Sequence, residues 1–530
     1  MNNVQFESKP QTTHSEPSRL PSGWNSNSRN VILVFTLVLL FALGCRLWHI
    51  DWHGVNGDEY SSVMVANGLR STAMAKAFPQ LSWLKPNDHL TLSTFDQRDF
   101  RKSARLKDVV ASSLYNDGGN GILYSTMLHF WARIFGSADV MVRLMSTAFG
   151  VASVALVFAF ARQMRLPLSI SFFAMVLAAA HPALIYYSQI CRTYAATTFF
   201  VLLSTFYFYR LHKASSPRKT DALGYCLATA AALLSHYLCS YVILGQIIFA
   251  AIVERRKNFW LACIGAGTGV AAIVGTWLLS RGLSGLTLLQ AQNARLIGLM
   301  HAHDPRYTWV RPFDLSGVAD GWWAQLRLLF GLFSVIAPPP PAVSLAIGIS
   351  VALFCVSVLV LAVVTRRDSL KPILLLTCAA FVIPVVATVL SAKSQHCLTL
   401  IDRYAVFSTP YVILLTAVLL SKTPRVLAFG ATLLMVLLFM QSTKALFLAP
   451  PVQNKYATAA SVIQLEYKHG DLVKFPSWSS ASITNIYFRK EPQIVQSVSN
   501  SHDSIIRLEH QDGTVSELFN LHEPAALRDN

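Results

Sequence analysis

VILVFTLVLLFALGCRLW, Val31–Trp48, runs almost without polar interruption, and after His49 the chain reads IDWHGVNGDEY, Ile50–Tyr60. At about 1.5 Å of rise per helical residue the first stretch is long enough to cross roughly 30 Å of hydrocarbon. Just beyond it stand two adjacent acids, Asp58 and Glu59, in a loop rich in Gly and aromatic residues. Packing alone explains such a pair poorly. A membrane surface at which a carboxylate does proton chemistry on a substrate arriving from the lipid explains it well.

The rest of the chain agrees with a polytopic membrane protein. Of its 530 residues 53% are hydrophobic and only 13% charged, where an ordinary soluble chain is about a quarter charged. The net charge of +17 does not point to nucleic acid. Much of it lies at the ends of apolar runs, at Arg162 and Arg165, Arg210 to Lys219, Arg255-Arg256-Lys257, Arg366-Arg367, Lys422 and Arg425, as the positive-inside rule requires. The eight cysteines show no CxxC and no metal-ligand spacing, and Cys45, Cys226 and Cys355 read as small apolar side chains. The first run follows about thirty polar residues and lacks a small-x-small cleavage site, so it reads as a span and not as a cleaved signal.

Residues 1–29 read as a disordered cytoplasmic tail, residues 30–450 as the transmembrane domain, and 451–530 as a small α/β extracytoplasmic domain. The predicted class is an all-α polytopic bundle with about eleven spans: the first run, then 138–161, 168–187, 194–210, 222–235, 238–253, 259–280, 342–364, 371–391, 403–420 and 425–447. Two large extracytoplasmic loops are expected, 49–120 and 281–341. In the first, Glu59–Arg70 reads as an interfacial helix, and Gly121–Phe135, just after that loop, as another. In the second, Trp322–Ala337 reads as a surface or re-entrant helix. In the tail, Ala457–Lys468 is a candidate helix, and Asp471–Phe475 and Ile483–Phe488 are candidate strands. No internal repeat is visible.

Polar groups gather where the spans meet the outer face: Asn116-Asp117-Gly118-Gly119-Asn120-Gly121 before Tyr124, Asp139 and Arg143, His181-Pro182 through Arg192 to Tyr194, His236-Tyr237, and Asp402-Arg403-Tyr404. A charge at the centre of a span costs roughly 2.5–3.5 kcal/mol even on insertion scales, so a cluster at one face suggests a shared cavity. Carboxylates, Arg, His and Tyr together suit an anionic headgroup and a polyhydroxylated acceptor.

These pieces, in this order relative to the spans, resemble the GT-C superfamily of polyprenyl-phosphate-sugar-dependent glycosyltransferases, in the branch of the protein O-mannosyltransferases and the lipid A aminoarabinose transferases. The resemblance covers roughly residues 31–420. It rests on Asp58-Glu59, Asp117 to Tyr124 with Trp131, Phe135-Gly136 and Arg143, His181-Pro182 to Tyr194, His236-Tyr237, and Arg403-Tyr404 with Pro410. It implies that Asp58 is the catalytic base and that the anomeric centre inverts. Two departures stand out. Gly121 replaces the Pro that many relatives carry before Leu-Tyr, and the tail is too short for the sugar-binding repeat domain of eukaryotic protein mannosyltransferases.

The residue chemistry is consistent with that reading. A lipid phosphate is already a good leaving group, so one carboxylate can suffice as base, with cations on the departing phosphate. Arg192 and Arg403 are the candidates for the phosphate. Glu59, Asp117, Tyr124, Tyr194, His236 and Tyr404 complete the expected substrate site, and His236 either contacts the phosphate or, with Asp117, ligates a divalent metal. Each has a plainer use. Glu59 can orient the loop or cap a helix, Arg143 can pair with Asp139 or a carbonyl, Tyr194 and Tyr404 can be interfacial aromatics, His236 a packing residue and Asp117 a turn residue.

The expectation is an integral membrane glycosyltransferase, multi-pass in a bacterial inner membrane, with a cytoplasmic N-terminus and a periplasmic site. It would take a polyprenyl-phosphate sugar and an extracytoplasmic acceptor, and its other partners would be membrane lipids. A non-enzymatic lipid-linked saccharide transporter is the alternative and would place polar residues through the mid-membrane depth. A structural membrane subunit would not need the acid pair.

Overall fold

The computed structural model describes residues 24–51, 57–68, 105–136, 139–301, 311–332, 370–448, 454–476, 495–498 and 505–521, with the isolated positions 353, 357 and 360. The first run forms α1, Trp24–Leu47, with Ile32, Leu33, Leu37 and Leu40 exposed on its outer side, as a lipid-facing helix should be. α2, Gly57–Ala66, carries Asp58 and Glu59 in its first turn, where acids complement the helix dipole. It is shorter than the expected 59–70 helix and starts earlier. Nor does it lie bare on a membrane surface: Val63 and Ala66 pack against Tyr124, Leu128, Val142 and Met145.

Next come α3, Leu106–Asp117, and α4, Ile122–Phe135. Gly118, Gly119 and Gly121 join them, all with positive φ. Then follow α5, Asp139–Gln163, α6, Leu168–Ala180, and α7, Pro182–Gln189. α6 and α7 meet at a bend of 50°, so the expected continuous span over 168–187 is a broken one. Pro182 is the physical cause, because it has no N–H to continue the helical ladder. α8, Tyr194–Lys213, α9, Lys219–Ser235, and α10, Ser240–Val253, follow. α11, Lys257–Trp277, passes through a π turn at Leu278–Gly282 into α12, Leu283–His301. The second loop therefore starts as a helical extension.

α13, Leu315–Leu329, is capped at its start by Asp314, whose Oδ1 accepts the Gly317 N–H at 2.7 Å; this replaces the expected Trp322–Ala337, whose last residues lie outside the described ones. α14, Lys371–Ser394, a 3-10 segment at Asp402–Ser408, α15, Thr409–Leu420, and α16, Arg425–Leu448, complete the bundle. Among the described residues six helical stretches are long and apolar enough to cross a membrane, or seven if the bent pair is one span. That is fewer than the expected eleven. α9 has 17 residues and α10 has 14, α8 carries Thr, Ser and Tyr along its length and three basic groups in its last turn, and 342–364 falls outside the described residues except at three isolated positions.

The core runs through α5, α6, α8, α14 and α15, with Val157, Phe160, Ala174, Leu202, Leu375, Phe407 and Tyr411 all buried. It also holds polar side chains. Gln246 on α10 donates to Thr205 Oγ1 at 2.9 Å and accepts from the Tyr225 hydroxyl at 2.9 Å. Thr205 in turn meets Tyr411 at 2.7 Å, and Ser204 meets Thr229 at 2.8 Å. The network is uncharged and joins α8, α9, α10 and α15 through hydrogen bonds.

In the tail, α17, Asn454–Glu466, packs Ala459, Ala460 and Ile463 on a four-stranded sheet. The strands β1, Leu472–Phe475, β2, Val495–Val498, β3, Ile505–Glu509, and β4, Val515–Asn520, lie in the order β2-β1-β3-β4. β1 and β2 are parallel, and the other pairs antiparallel. The expected strand at 483–488 lies outside the described residues.

Candidate active site

Three separate parts of the chain meet at Asp58. Its carboxylate, 52% exposed, accepts the Arg403 Nη1–H at 2.9 Å. Arg192 Nη1 donates to the Asp58 carbonyl at 3.2 Å and to Ser62 Oγ at 3.3 Å, and its Nη2 stands 3.8 Å from Asp117. The Nε atoms of Arg192 and Arg403 are both buried without a hydrogen-bond partner. A carboxylate open to solvent, flanked by two guanidinium groups that each retain an unused donor, is a site with capacity for an incoming anion.

Around it lie the aromatic residues. Arg403 sits over the Tyr404 ring at 5.3 Å. His236 contacts Tyr404 at 5.6 Å and Phe407 at 5.2 Å between ring centroids, and Tyr194 at 6.0 Å. His236 Nδ1 accepts the Leu238 N–H at 3.2 Å, which leaves the proton of a neutral ring on Nε2. Burial, then the charges of Arg192 and Arg403, push its pKa down to about 3. His236 is thus a neutral donor. Burial, opposed by Arg192 and reinforced by Asp58, raises the Asp117 pKa. Burial draws the Arg192 pKa down, but Asp117, Tyr194 and Asp58 outweigh it, so the guanidinium stays charged.

The acid pair divides its labour. Glu59 is 1% exposed. Its two oxygens accept from Arg143 Nε at 2.8 Å and Nη2 at 2.7 Å, and Oε1 also accepts the Cys191 N–H at 2.8 Å. Arg143 Nη1 donates to the Ile50 carbonyl at 2.6 Å, so its carboxylate partner is Glu59 and the expected carbonyl contact is also present. Glu59 lies beneath the site and holds the loop. Tyr124 is likewise buried, its hydroxyl on Ser146 at 2.9 Å. The structure brings Asp58, Asp117, Arg192, Arg403, Tyr404, His236 and Tyr194 together; Glu59 and Tyr124 support them from below.

Asn120 was quoted in the sequence motif without a role. Its Oδ1 accepts the Tyr237 N–H at 3.0 Å and its Nδ2 stands 3.5 Å from His236 Nε2. Tyr237 donates to the Gly119 carbonyl and accepts from Trp277. The positive-φ glycines make this close approach feasible. A Cβ on Gly118 would stand 2.8 Å from the Gly285 carbonyl of α12.

A divalent metal fits these residues poorly. Among the described residues no three His, Cys, Asp or Glu side chains group to hold an ion. Asp117 faces Arg192, and His236 has spent Nδ1 on its own backbone. A zinc site needs more protein ligands than this pair supplies.

Residues 120–279 match the dolichyl-phosphate-mannose-protein mannosyltransferase family. The resemblance to polyprenyl-phosphate-sugar-dependent glycosyltransferases is borne out by that match, whose segment holds Tyr124, Arg143, Arg192, Tyr194 and His236. Among solved structures, the chain is similar to ArnT from Cupriavidus metallidurans bound to undecaprenyl phosphate, at 12% identity over 90% of this chain and 86% of that one, with a TM-score of 0.38. It is also similar to the oligosaccharyltransferase AglB from Archaeoglobus fulgidus in complex with an inhibitory peptide and a dolichol-phosphate. There the identity is 11% over 88% of this chain and 60% of that one, with a TM-score of 0.45. Likenesses this faint decide nothing about the site. No curated protein sequence matches the chain.

Proposed function

We propose that this protein is a membrane glycosyltransferase that moves a sugar from a polyprenyl phosphate to an extracytoplasmic hydroxyl. The observation that carries the reading is the half-exposed Asp58 carboxylate, paired with Arg403 and flanked by Arg192. The phosphate of the donor takes the two guanidinium groups and draws Arg403 off Asp58. The freed carboxylate accepts the proton of the acceptor hydroxyl. The acceptor oxygen bonds to the anomeric carbon as the sugar–phosphate C–O bond breaks, and polyprenyl phosphate leaves with that electron pair. One displacement inverts the centre. Neutral His236 offers an N–H to the phosphate, and Tyr194 and Tyr404 wall the site. The acceptor is a lipid, glycan or protein.

The test uses purified wild type and Asp58→Asn with a panel of polyprenyl-phosphate sugars and membrane extract as acceptor. Released polyprenyl phosphate and labelled glycoconjugate are followed. Turnover that falls by about 10²-fold or more in the variant supports the base; equal turnover removes Asp58 from the chemistry. Donor binding without turnover, with transport intact in Asp58→Asn, would make the protein a transporter instead.

A further inference from the structure

Arg46 is a lone cation near the outer end of α1, and it is fully buried. It donates to oxygens without formal charge. Nη1 donates to the Ala42 and Ala179 carbonyls at 3.0 and 3.1 Å, Nη2 to Ala178 at 3.3 Å, and Nε to Ser188 Oγ at 3.3 Å. Ala178 is four residues before Pro182, so its carbonyl is the one that Pro182, lacking an N–H, leaves without a helical partner. A guanidinium at the C-terminal end of α6 replaces the missing donor and compensates the negative end of the helix dipole. The next residues complete the join. Gln189 Nε2 donates to the Arg46 and Trp48 carbonyls at 3.1 and 2.7 Å. Cys191 N–H then reaches Glu59, and Arg192 reaches the Asp58 carbonyl. Room for the guanidinium comes from Gly150 on α5, where a Cβ would stand 3.0 Å from Arg46 Nε and 2.7 Å from Ser188 Cβ.

We propose that Arg46 is a positioning residue: by capping the carbonyls opened at the α6–α7 bend, it fixes residues 188–192, and so Arg192, in register with the segment that carries Asp58. Its consequence for turnover rests on the transferase reading above; the register itself does not. The experiment compares wild type, Arg46→Met, Arg46→Lys and Gln189→Met in detergent. Amide hydrogen exchange is followed over residues 183–193, and kcat and KM are measured per folded molecule. Arg46→Met is expected to speed exchange in that segment at least about tenfold while the rest of the bundle is unchanged. Its kcat is expected to fall about 10²-fold, the cost of a misplacement near 1 Å, with acceptor KM within about threefold. Arg46→Lys, which restores donors to the carbonyls, recovers part of both. Gln189→Met leaves the cap in place, so its loosening is confined to residues next to 189 and is smaller than that of Arg46→Met. If Arg46→Met does not fold, Arg46→Lys carries the test, with exchange over 183–193 faster than that of wild type. Unchanged exchange over 183–193 in the Arg46 variants that fold overturns the inference, as does a kcat loss that merely tracks the folded fraction. Faster exchange with no turnover by wild type on any donor sinks the transferase reading and leaves the register standing.

Discussion

Asp58 and Glu59 are neighbours in the chain, yet one side chain is 52% exposed and the other 1%. Their substitutions should therefore fail in different ways. Asp58→Asn should keep the melting temperature of wild type within a degree or two and lose turnover. Glu59→Gln leaves Arg143 buried without its counter-charge, which costs on the order of 3–5 kcal/mol; thermal denaturation in detergent should show it before any assay does. His236 sets a pH signature. Its folded pKa of about 3 lies below the unfolded value near 6.5, so between these two the unfolded state binds the extra proton. Stability is then full above about pH 6.5 and declines as pH falls toward 3, with a slope of up to ~1.4 kcal/mol per pH unit. His236→Gln should flatten that part of a melting-temperature profile; an unchanged slope would assign it to other groups. At this scale Asp58, Arg192 and Arg403 stand out in the sequence because charges next to apolar runs are conspicuous, and the structure brings the three together. The sequence left Glu59 between a substrate contact and a loop-orienting acid, since its burial depends on Arg143, 84 residues away.

Between helices, the turn at Gly118–Gly121 is the element that brings Asp117 and Asn120 to the site. The departure at Gly121 has a structural reason. Its φ is +78°, and proline is locked near −65°. Gly121→Pro should therefore abolish folding or turnover, and Gly121→Ala should cost about 1 kcal/mol, read as a fall in melting temperature. The Gln246 network offers a separate check. Gln246→Leu takes the amide acceptor from the Tyr225 hydroxyl, while Thr205 keeps Tyr411 and the Val201 carbonyl; at about 1–3 kcal/mol for a buried polar group left unpaired, it should lower thermal stability while leaving kcat untouched. A drop in kcat without loss of stability would instead give the network a functional path. The helices at 139–163, 371–394 and 425–448 were legible because their apolar runs are unbroken. The bend at His181-Pro182 was not, though Pro182 was in plain view, because a twenty-residue apolar window averages across it. Nor was the passage of α11 into α12, since Arg281 reads as an exit from the membrane and the π turn carries the helix past it.

For the molecule as a whole, the hydropathy pattern identified a helical membrane bundle with a small mixed domain after it. The number of crossings was less legible. Helices such as α8 and α9 trade lipid contact for polar contacts with one another, and no one-dimensional scale sees the partner. The same blindness hides the role of Arg46, which stands inside the first apolar run. Its partners reveal a matter of timing. Apart from the Ala42 carbonyl, the oxygens that receive this guanidinium lie 132 to 142 residues further along the chain. A ribosome adding roughly 5–20 residues per second delivers them on the order of ten seconds after α1 has left it. Throughout that interval the first helix must keep its arginine hydrated at the headgroup layer, and only the arrival of the broken helix can draw it inward. Insertion of this protein should accordingly proceed in two stages, with nascent chains truncated before residue 178 holding α1 higher in the bilayer than the finished protein does.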